Sequence, residues 1–82
     1  MVTEAPPLDS AEILARRASL EASVRRVKRR RADVADRLGL AVAVPAAVSP
    51  RERRVLRTER AALEVELTEL LDGLTVLRTL QQ

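Results

Sequence analysis

LGLAVAVPAAVSPRE, residues 38–52, decides how this chain folds, because one long helical pattern runs into it and another runs out. Gly39 follows the last clear periodic residue, where a helix C′ position favours a residue that accepts positive φ. Ser49, Pro50 and Glu52 then read as N-cap, N1 and N3 of a second helix. In such a capping box the Ser49 hydroxyl accepts from the Glu52 backbone N–H, and the Glu52 carboxylate reaches back to the N–H of Ser49. The stretch therefore predicts an all-α, antiparallel two-helix hairpin, coiled-coil-like and assembling further into a helical bundle. The first helix is expected over about 9–38, an apolar loop over 39–49 and the second helix over about 50–80. Residues 1–8 are expected to form a flexible tail, since Pro6-Pro7 resists helix.

Outward from the loop, each side carries one hydrophobic seam. Before it, Ile13, Arg17, Leu20, Val24, Val27, Arg31, Val34 and Leu38 follow a 4-3 spacing. After it, Leu56, Arg60, Leu63, Leu67, Leu70, Leu74 and Leu77 do the same. This is the spacing of a coiled-coil contact stripe. Set antiparallel, with facing residue numbers adding to about 90, Val34 meets Leu56, Val27 meets Leu63, Val24 meets Leu67, Leu20 meets Leu70 and Ile13 meets Leu77. Arg31 then falls opposite Glu59, and Arg17 faces Gly73, where a missing side chain leaves room. Asp9 and Glu12, with Leu8 and Ile13, supply a capping box and hydrophobic staple for the first helix.

Composition narrows the chemistry. The 82 residues make one domain and contain no Cys, His, Phe, Trp or Tyr. Thiolate metal sites, the commonest general base and base-stacking aromatics are thereby removed. No Gly-rich phosphate loop or metal-ligand spacing is present. A non-enzymatic protein is expected, with no cofactor, no metal and no small-molecule substrate. The acidic, Pro-containing start MVTEAPPLDS is not a secretory signal. The longest apolar run, Leu40 to Val48, is too short to span a bilayer. A cytoplasmic location is expected, with no membrane partner.

Charge is segregated along the hairpin. Residues 24–38 set seven cations against Asp33 and Asp36, and residues 50–60 set five against Glu52 and Glu59, so the turn end nets +8. The remaining segments net −5, which recovers the overall +3. Arg25, Arg26, Lys28, Arg29, Arg30, Arg51, Arg53, Arg54 and Arg57 are the candidate residues for binding an anionic partner. The apolar loop, through Leu40, Val42, Val44 and Val48, is the candidate docking plug, since loops facing water are normally polar. Spare apolar residues at the open end, Leu14, Val65, Leu71, Val76 and Leu80, are candidates for self-association, because so small a core calls for a partner. The expected function is an adaptor or assembly protein that docks a larger protein through its basic tip and homo-oligomerises. The alternative is a sequence-nonspecific nucleic-acid binder using the same arginines, phosphate-dominated and salt-sensitive.

A third reading rests on resemblance. Leu14-Ala15-Arg16-Arg17, followed by Leu20, Val24 and Lys28, is similar to part of the first helix of the all-helical chorismate mutases. Arg51-Glu52-Arg53-Arg54-Val55-Leu56 looks like the start of their second helix. The resemblance implies that Arg17, Lys28, Arg51 and Glu52 grip a dianionic substrate. This chain departs from that family in a longer connection and in having no clear third helix.

Overall fold

A computed structural model describes residues 10–80. Helix α1 spans Ser10–Ala43, a 3-10 turn spans Pro45–Ala47, and helix α2 spans Pro50–Leu80. The two helices lie antiparallel in a rod about 50 Å long, the length of a 34-residue helix. The expected tail at residues 1–8 lies outside the described residues.

The loop is shorter than its sequence suggests. Gly39 is not a C′ residue: no glycine among the described residues has positive φ, and α1 runs four residues past it. The 4-3 repeat continues through it, so Ala41, three residues after Leu38, is buried at 5% exposure. Pro45 ends the helix. Its ring pushes the preceding residue out of the α region, and Val44 sits at φ −133°, ψ 83°. The Val44 N–H still donates to Leu40 O at 2.7 Å, and the Ala47 N–H to Val44 O at 2.9 Å. The chain then extends through Val48, which is buried, and α2 starts at once. The Glu52 N–H donates to Ser49 Oγ at 3.1 Å, as the capping box requires. The return arm of that box is replaced: the Glu52 carboxylate takes two hydrogen bonds from the Arg37 guanidinium, at 2.9 and 3.2 Å. A charged bidentate donor outcompetes a single backbone N–H.

The core is the seam. Ile13, Val24, Val27 and Val34 are buried along α1, and Leu56, Leu63, Leu67, Leu74 and Leu77 along α2. Leu20, Leu38 and Leu70 pack against them half-buried. Val48 folds under the tip and joins the same cluster as Val34 and Leu56. The register is fixed by two cross-helix ion pairs, Arg30–Glu59 and Arg37–Glu52, whose residue numbers each add to 89.

Two expected alignments differ in detail. Glu59 is taken by Arg30 rather than Arg31, because Arg30 projects to the flank on which Glu59 stands. Arg31 starts in the seam and must turn out of it, reaching Glu64 at 3.5 Å on the opposite flank. Arg17 likewise leaves the interface and pairs with Glu21 at 2.9 Å. The space beside Gly73 is used by Leu20, whose Cδ1 lies 3.3 Å from where a Cβ would stand.

Candidate functional site

The +8 of the turn end does not surround the rod evenly. On one flank Arg30 donates to both Glu59 carboxylate oxygens, and Arg37 binds Glu52 and also reaches Ala47 O at 3.4 Å. These hydrogen bonds hold the Glu59 and Glu52 carboxyls below the usual carboxylate range, against the opposing effect of desolvation. They also raise both guanidinium pKa values, first through the hydrogen bond and then through the carboxylate charge. This flank is neutralised, so Arg30 is a structural residue and leaves the set of cations offered to a partner.

The other flank is different. Arg53, Arg57 and Arg60 of α2 line a groove of about 430 Å³ whose remaining wall is Leu38, Ala41, Val42 and Pro45. None of the three arginines has a hydrogen bond or ion pair among the described residues. Arg53 is half-buried, and its Nε is enclosed without an acceptor. An enclosed donor without a partner carries a desolvation cost that an incoming acceptor removes. Helical phase sets Ala32 and Ala35 of α1 across from Arg57 and Arg60, and their small side chains keep this side of the groove open.

The residues expected from sequence divide accordingly. Arg53 and Arg57 line the groove. Arg51 and Arg54 stand further round α2, away from α1, and Arg25, Lys28 and Arg29 are exposed on α1. Arg26 donates to Ser23 Oγ at 3.1 Å. Of the proposed plug, Val42 is 84% exposed and forms part of the groove wall, while Leu40 and Val44 are less open at 38% and 49%. Leu40 and Val42 are helical rather than loop residues. Val48, at 1% exposure, closes the core and is withdrawn from the plug. Arg60, Leu38, Ala41 and Pro45 were not singled out by sequence. Arg60 was readable only as a seam residue, and its role appears once the two helices are in register.

Leu14, Val65, Leu71, Val76 and Leu80 are all exposed, but they do not form one patch. Helical phase puts Leu14 and Leu71 on the groove's flank and Val76 and Leu80 on the opposite one. Val65 faces directly away from α1.

The residues marked by the chorismate-mutase resemblance do not converge within the chain. At 1.5 Å rise per residue, Arg17 and Arg51 stand at levels roughly 30 Å apart along the rod, with Lys28 between them. Glu52 is engaged by Arg37. Among the described residues no group of three or more carboxylates is placed to hold a metal ion, and no helix is long and apolar enough to cross a membrane.

No family model, curated protein or solved structure matches this chain.

Proposed function

We propose that the chain is a non-enzymatic docking module that seats an acidic, partly apolar segment of a partner protein in the groove at the basic tip. The observation that carries this reading is the pairing of three unpartnered guanidiniums with an apolar wall in one groove. Arginine forks match carboxylates bidentately. The wall of Leu38, Ala41, Val42 and Pro45 gains from being covered by apolar atoms. An acidic amphipathic segment supplies both. A nucleic-acid backbone answers the arginines but leaves the wall uncovered, and no aromatic is present to stack on a base. A partly apolar protein interface with a charged rim is the ordinary composition of a specific contact.

The test is capture of partners from the native cell extract by the tagged chain, with and without nuclease, alongside Arg57→Glu and Val42→Asp. The reading expects a protein that survives nuclease and is lost from both variants. Capture that disappears with nuclease and ignores Val42→Asp establishes the nucleic-acid reading instead. Capture unchanged in both variants removes the groove from the function.

A further inference from the structure

Helix α2 carries a second stripe at 4-3 spacing on its outer side, clear of the groove's flank. It runs through Arg51, Val55, Thr58, Ala62, Val65, Glu69, Asp72, Val76 and Thr79. Val55, Val65 and Val76 are 59, 60 and 58% exposed. Shallow, mostly apolar depressions lie along it around Val55–Ala62 and around Val65. The threonines belong to this apolar surface. Thr58 Oγ1 donates to Arg54 O at 3.1 Å and Thr79 Oγ1 to Thr75 O at 3.0 Å. Their hydroxyls are satisfied inside the helix, so covering their methyl groups leaves no donor stranded.

The charges on α2 say what covers it. Internal pairing consumes Glu52, Glu59 and Glu64. The first eleven residues of α2 then keep five cations, among them Arg51 and Arg54, with no carboxylate left to answer them. Glu66, Glu69 and Asp72 have no cation among the described residues. The helix macrodipole adds positive charge at the start of α2 and negative charge towards its end. Two such helices repel when parallel and attract when antiparallel.

We infer that α2 binds α2 of a second copy of this chain, antiparallel, about a twofold axis between Ala62 and Val65. In that arrangement Ala62 of one copy faces Val65 of the other, and Arg54 stands level with Asp72 of the other, with Arg51 about one turn from that Asp72 and Glu69 about one turn from that Arg54. The same patch serves both copies, so the contact closes as a dimer and does not propagate. The four helices form an α1–α2–α2–α1 assembly in which both grooves stay open, since Arg57 and Arg60 lie on a different flank. The dimer thus presents two docking grooves, although its existence does not depend on their proposed use.

The experiment is sedimentation equilibrium of the full chain over a concentration series. A single helix-on-helix contact is small among stable interfaces, so the expected result is a reversible monomer–dimer equilibrium that weakens with salt. Arg51→Glu with Arg54→Glu should weaken dimerisation by about tenfold or more. Adding Glu69→Lys and Asp72→Lys to that chain should restore it, since the twofold brings the two reversed clusters back together around positions 54 and 72. Circular dichroism checks that each variant keeps its helix content. Orientation is read in the naturally Cys-free chain with a short thiol-to-thiol cross-linker. Val65→Cys should cross-link, because the two sites are offset by only about 5 Å along the axis. Val55→Cys should not, because its two sites lie roughly 25 Å apart. A chain that stays monomeric throughout, a quadruple variant that is not restored, or equal cross-linking at both positions overturns the inference.

Discussion

Val42 and Val48 are the same residue type six positions apart, and they answer opposite questions. Val48 is closed off at 1% exposure and Val42 is open at 84%. Val48→Asp places an unpaired carboxylate in the core, a class of change that costs on the order of 4 kcal/mol or more. For a chain whose whole stability is of order 5–10 kcal/mol, urea denaturation should show a hairpin barely folded or unfolded. Val42→Asp should shift the same curve by no more than about 0.5 kcal/mol while abolishing capture of the proposed partner. A second residue-scale contrast lies in the glycines. A methyl added at Gly39 meets nothing within 4 Å, and its backbone is helical. Gly39→Ala should therefore stabilise by about 0.5–1 kcal/mol. At Gly73 the new methyl would press on Leu20 Cδ1 at 3.3 Å, so Gly73→Ala should gain less. A destabilised Gly39→Ala chain would restore the reading of Gly39 as a helix-ending residue.

Within the elements, both seams and the start of α2 were legible, because periodicity and capping are local. The end of α1 lies beyond the point the sequence suggests, because Gly39 carries a stop signal on its own, whereas continuation is announced only by Ala41, a small residue in phase with the seam. Pro45 was the stronger signal. It removes an N–H and constrains its neighbour, while a glycine merely permits a stop. The five-residue difference matters to the site, since it turns Leu40 and Val42 from loop into helix and makes the groove wall rigid. The partition of the arginines was not legible at all. Which cations remain free depends on which carboxylates the register brings across, and Arg30 and Arg31 exchange roles on a rotation of one residue. The pairs that set this register make the tip acid-sensitive. Hydrogen bonds from Arg37 and Arg30 depress the folded-state pKa values of Glu52 and Glu59. On acidification the unfolded chain therefore binds those protons first. Their contribution is whole above the ordinary glutamate value of about 4.3 and is lost as pH falls through the depressed folded values. Thermal melts from about pH 6 to about pH 2 should show this loss, with a shallower slope for Glu52→Gln and Glu59→Gln. Identical slopes in the variants would mean that these pairs contribute nothing to folding.

At the scale of the whole molecule, the rod is held unevenly along its length. The tip end has Val34 and Val48 fully buried, two bidentate cross-helix pairs and a capped helix start. The open end has Ile13 and Leu77, which are buried but stand apart from the continuous core cluster. Local opening is cheapest where buried apolar contacts are fewest. Amide exchange should therefore be fastest near Ser10–Ala18 and Val76–Leu80, slow through the middle, and slowest near Val27–Leu38 and Leu56–Leu67. Such a gradient gives the tip what a docking groove needs, a wall that is already formed before a partner arrives and costs little ordering on binding. The same experiment separates this gradient from self-association. Pairing of α2 with a second copy should slow exchange around Ala62–Val76 as concentration rises, because opening there then requires dissociation. It should leave Ser10–Ala18 unchanged, since that segment faces no partner. Protection that rises equally in both helices with concentration would instead point to exchange of whole helices between copies, with the hairpin opened at Val44–Ser49.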